Sequence, residues 1–103
     1  MAARSKAKPY RAASRADAAA LARAQWAFAV AMARVQRDRR LLASADRVAA
    51  MSLQAYAEGA VALPNVLETQ RNAREALGRY VDDLAAASNA AAAVRLLTAS
   101  DQP

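Results

Sequence analysis

The side chains able to do chemistry are few and poorly placed for it. Asp82 and Asp83 are adjacent carboxylates, but neighbours on a helix diverge by about 100° and do not close on one site. They read as part of a solvated face. Ser44, Ser52 and Ser88 have no basic partner of the kind a nucleophile needs. Glu58, Glu68 and Glu75 lack the spacing and the histidines of a helical di-metal site. The chain has no Cys and no His, which removes thiolate nucleophiles, Cys/His zinc sites and imidazole acid–base chemistry. No Gly-rich phosphate loop is present. The expectation is therefore no catalytic residue, no metal and no cofactor, and a protein that is not an enzyme.

Two groups suggest binding instead. Trp26 and Phe28 could stack on bases, although Phe28 falls on a helix seam and packing is the simpler role for both. Arg37, Asp38, Arg39 and Arg40 form a basic knot, and with Arg34 it could meet phosphates. No helix-turn-helix or zipper-plus-basic-region layout accompanies it. The net charge of +6 is unevenly spread. Residues 1–40 hold ten Arg or Lys against Asp17 and Asp38, whereas residues 41–103 hold five Arg against seven acids.

These residues are carried by helices. Ala, Leu, Arg, Gln and Met dominate, aromatics make up 5%, and there are three prolines and two glycines, a composition for helix and against strand. Residues 1–14, basic and holding Pro9, are expected as a disordered arm. Helices are expected over about 15–58 and 64–98, with the tip at 59–63 and a frayed tail at 99–103. Gly59 just past one helix and Pro64 in the first turn of the next stand in the order helix ends favour, with Leu63 as a poor N-cap. The fold class is all-α: an antiparallel coiled-coil hairpin without β-barrel strands.

Heptads define the seam. Leu21, Phe28, Val35, Leu42, Ala49 and Tyr56 alternate with Ala24, Ala31, Asp38, Ala45 and Ser52. In the second helix Val66, Ala73, Tyr80, Ala87 and Val94 alternate with Gln70, Leu77, Leu84, Ala91 and Thr98. Val30, Leu41, Val48 and Met51 draw a further apolar line on another face, which suggests neighbours on both sides. An Ala seam position buries roughly 2 kcal/mol less than Leu would, at about 0.8 kcal/mol per CH₂. Such a chain is expected to need a partner or more copies of itself. The uncharged runs Ala24–Ala33, Val48–Ala57 and Leu84–Val94 all fall short of the roughly 18 residues a spanning helix requires. Arg4, Lys6, Lys8, Arg11 and Arg15 interrupt any apolar signal region, so the chain as written is expected to stay cytoplasmic.

The stretch Tyr56-Ala-Glu-Gly-Ala-Val-Ala-Leu-Pro-Asn-Val-Leu-Glu-Thr-Gln-Arg71 resembles the C-terminal periplasmic hairpin tip of TolC-like outer-membrane efflux factors. Tyr56, Gly59, Val66-Leu67 and Gln70-Arg71 stand in that family's order, and the likeness extends over about residues 20–98. It implies a tunnel-wall hairpin in a homotrimer at the outer membrane and periplasm. Tyr56, Glu58, Gly59, Ala60, Val61 and Ala62 would face a periplasmic adaptor, which couples to an inner-membrane transporter for efflux or secretion. Ala62 and Pro64 depart from the family's usual Ser/Thr cap and apolar helix start. The chain is far shorter than full-length members and is expected as a C-terminal fragment. The alternative is a small basic helical module that binds nucleic acid through Arg34, Arg37, Arg39, Arg40 and the arm. The resemblance places it second.

Overall fold

Uninterrupted runs of good helix formers produce two long helices. The computed structural model describes the backbone of residues 2–100 and the side chains of residues 14–99. Helix α1 spans Ala2–Ala57 and α2 spans Leu63–Ser100. At 1.5 Å per residue these run about 84 and 57 Å, and the molecule measures 87 × 20 × 13 Å. All contacts between elements are those of α1 with α2. This is the expected all-α hairpin, with no strand among the described residues.

Its ends differ from expectation in three places. Helix α1 starts at Ala2 rather than near Arg15. The expected disordered arm is thus helical in its backbone over residues 2–14, and the side chains of 1–13 lie outside the described residues. Ala, Lys and Arg favour helix, and the helix continues through Pro9, its eighth residue, which forgoes one backbone hydrogen bond there. At the other end Ala99 and Ser100 belong to α2, while the remainder of the expected tail, 101–103, lies outside the described residues. At the tip, the loop is 58–62, one residue earlier than expected. Ala62, not Leu63, precedes the first helical residue, and its carbonyl accepts the Asn65 N–H at 3.0 Å. Pro64 is the second residue of α2, still among the positions whose N–H has no helical acceptor.

Gly59 closes α1. Its φ of 78° is the only positive φ among the described residues. The Ala60 N–H donates to the Ala55 carbonyl at 2.8 Å and the Gly59 N–H to that of Tyr56 at 3.0 Å. This pair of bonds is the Schellman arrangement, in which a left-handed residue turns the last free carbonyls back onto the chain.

Burial follows the heptads along α1. Leu21, Ala24, Phe28, Ala31, Val35, Asp38, Leu42, Ala45, Ala49 and Ser52 are buried or half-buried. Residues 14–19 are exposed, so α1 overhangs the end of α2. The centre of the seam is Val35, 1% exposed, packed with Ala31 and Ala87 and flanked by Met32, Tyr80 and Ala90. The whole core among the described residues is Ala31, Val35, Ala49, Val66 and Ala87. Small side chains leave little apolar area to bury.

Candidate functional site

The surface left over by this pairing is the first candidate. In α2 the line Val66, Ala73, Tyr80, Ala87 and Val94 is buried or half-buried as expected, but the second seam line is rotated by one residue. Thr69, Ala76, Asp83, Ala90 and Leu97 face inward; of the expected line Gln70 and Ala91 are half-buried, whereas Leu77, Leu84 and Thr98 are exposed. Leu77 and Leu84 are therefore not seam residues; they are 48% and 45% exposed. The sequence allows both readings, since either line sits three or four residues from the first. Packing selects the one that sets small Ala76 and Ala90 against α1.

Leu77 and Leu84 instead belong to an outward line with Leu63, Leu67 and Val81, all about half exposed. On α1, Leu41, Val48 and Met51 are also outward, at 51–64% exposure, and Val30 is half-buried. The two lines lie on opposite sides of the hairpin. Val48 precedes the seam residue Ala49, whereas Leu77 and Leu84 follow Ala76 and Asp83. In antiparallel helices those offsets point to opposite flanks. A shallow groove lined by Leu42, Asp46, Gln70, Ala73, Arg74 and Leu77 runs along the α2 flank. A second groove, formed by Pro64, Leu67, Glu68, Arg71 and Arg74, continues it toward the tip.

The tip residues Tyr56, Glu58, Gly59, Ala60 and Ala62 are exposed, and Val61 is half-buried. Tyr56, expected on the seam, is 43% exposed because the seam ends with Ser52 and Ala55. The polar contacts here are weak and local: Gln54 Nε2 to Glu58 Oε1 at 3.4 Å, and Arg71 to Glu68 at 3.0 Å, both exposed. Solvent-exposed pairs of this kind contribute about 0–1 kcal/mol.

The arginines form no single row. Arg34, Arg37, Arg39 and Arg40 are all exposed, but on a helix they spread over about 220° of its circumference. Arg34 and Arg39 flank the seam on opposite sides. Trp26, 73% exposed, stands outside the hairpin core, while Phe28 is half-buried in the seam. No group of three or more His, Cys, Asp or Glu among the described residues is arranged to hold a metal ion. Among those residues, no helix is long and apolar enough to cross a membrane.

One cluster escaped the sequence reading. Asp38 occupies a seam position and is 3% exposed. Its Oδ1 lies 3.8 Å from Arg37 Nε, and its Oδ2 is buried without a hydrogen-bond partner. Across the seam is Asp83, half-buried on the inward line of α2 and close enough for its carboxyl to act on that of Asp38. A hydrogen bond to Asp83 that becomes possible only when a proton is taken up, burial and the charge of Asp83 raise the Asp38 pKa above the ordinary carboxylate value, against the opposing pull of Arg37 and Arg79. Asp83 was expected to share a solvated face with Asp82. The signal was the tip itself: folding the chain about the 58–62 turn sets residue 38 opposite residue 83.

No protein-family model, curated protein sequence or solved structure matches this chain.

Proposed function

We propose that this hairpin is a wall-forming element that packs side by side with copies of itself, as in the periplasmic tunnel of a TolC-like efflux or secretion conduit. The 58–62 tip is then presented to a periplasmic adaptor, and through it to an inner-membrane transporter. The observation that carries the reading is the pair of apolar lines on opposite flanks, Val30–Leu41–Val48–Met51 on α1 and Leu63–Leu67–Leu77–Val81–Leu84 on α2. A self-complementary two-fold dimer needs one patch. Two different patches on opposite flanks suit a head-to-tail contact, which repeats until it closes into a ring. The outer-membrane setting, the trimer and the adaptor rest on the resemblance of residues 56–71.

Sedimentation of the full chain tests this. The wild type is expected as a trimer or larger closed oligomer. Val48→Glu with Met51→Glu breaks the α1 flank, and Val81→Glu with Leu84→Glu breaks the α2 flank. Each double variant alone is expected as a helical monomer. Mixed, they still share one intact pair of flanks and should stop at heterodimers. A wild type that stays monomeric at about 100 μM, far above the micromolar range of a modest interface, would sink the proposal.

A further inference from the structure

Among the described residues, Asp38 Oδ2 is the one buried side-chain polar atom without a hydrogen-bond partner. Thr69, another polar seam residue, donates to the Val66 carbonyl of its own helix at 2.9 Å, the ordinary way a hydroxyl is accommodated there. Asp38 has no such outlet, because Oδ2 is buried without a donor and the group in reach across the seam is another carboxyl. Two carboxylates only accept, so no hydrogen bond joins them while both are ionised. One proton converts that repulsion into an O–H···O⁻ bond spanning α1 and α2.

We propose that Asp38 and Asp83 form a proton-operated clasp that tightens the middle of the hairpin in acidic surroundings and loosens it in alkaline ones. The charged groups acting on it are Arg37 from α1 and Asp83 and Arg79 from α2. Arg37 is 62% exposed along its side chain, so water screens its pull on the buried carboxyl. Tyr80 of α2 packs on the adjoining Val35 cluster. The sign follows from linkage. The closed hairpin raises the Asp38 pKa, so the folded state keeps a proton that the unfolded chain has already lost. The stabilisation is complete below the ordinary carboxylate pKa and disappears as pH rises through the higher value of the closed state. The clasp acts within one chain and does not depend on assembly.

The test is urea unfolding of the full chain in dilute solution at constant ionic strength, followed by helical circular dichroism across pH 4–8. In the wild type the folded-to-unfolded ratio falls with rising pH within that range, by at most about tenfold per pH unit for one linked proton. Asp38→Asn keeps shape and polarity but cannot titrate, and the fall is expected to vanish. Asp83→Asn, which replaces the repelling acceptor with an amide that donates, should flatten it as well. If both variants keep the wild-type slope, the clasp does not exist. Should either variant unfold, the carboxyl carbon resonance of Asp38 in the wild type decides. Titration above the ordinary carboxylate range is expected, and titration within that range overturns the proposal.

Discussion

Gly59 and Gly78 put the same residue type to opposite tests. Gly59 sits at φ 78° with nothing within 4 Å of where a Cβ would stand, so any cost of a side chain there is conformational rather than steric. Gly59→Ala should destabilise the hairpin by about 1 kcal/mol, since L-residues pay about 1–2 kcal/mol in the left-handed region. Gly78 lies inside α2, also with open space at its Cβ position. Gly78→Ala should stabilise by up to about 1 kcal/mol through helix propensity. Thermal melts read by circular dichroism should move in opposite directions. Asp38 is the third residue that matters singly, because burial and a facing carboxyl make its protonation state a packing variable.

At the scale of the element, each helix has an inward line and an outward line, and they respond differently to truncation. Val35 is 1% exposed at the centre of the core. Val35→Ala removes two buried carbons and should cost about 2 kcal/mol once the cavity is included. Leu77 is 48% exposed. Leu77→Ala should change the stability of a dilute hairpin by only about 0.5 kcal/mol, as surface substitutions do, and should act on self-association instead. Urea midpoints at low concentration, set beside sedimentation at high concentration, separate the two effects. Equal losses of hairpin stability would mean that Leu77 packs inward after all, as the four-three spacing first suggested.

At the scale of the whole molecule, the described residues hold five buried apolar residues against twelve large apolar side chains left exposed, a chain with more surface to cover than it covers alone. Anything that binds only the folded form raises apparent stability by mass action, so the melting temperature should climb with protein concentration. A concentration-independent melt would show a self-sufficient hairpin. The sequence by itself determined the two-helix hairpin, its reversal at Gly59 and Pro64, and the α1 seam from Leu21 to Ser52, though not the start of α1 at Ala2. Those follow from propensity, from a residue able to take positive φ, and from a seven-residue repeat, all of which are local. It also determined that the seam would be thin, because alanine has little to bury. Only the tertiary structure decided the rotation of α2, since lines through Leu77 and through Ala76 satisfy the same spacing and the facing helix breaks the tie. That rotation turned Leu77 and Leu84 outward and brought Asp83 in to meet Asp38. Two residues 45 positions apart interact only once the chain has folded back on itself.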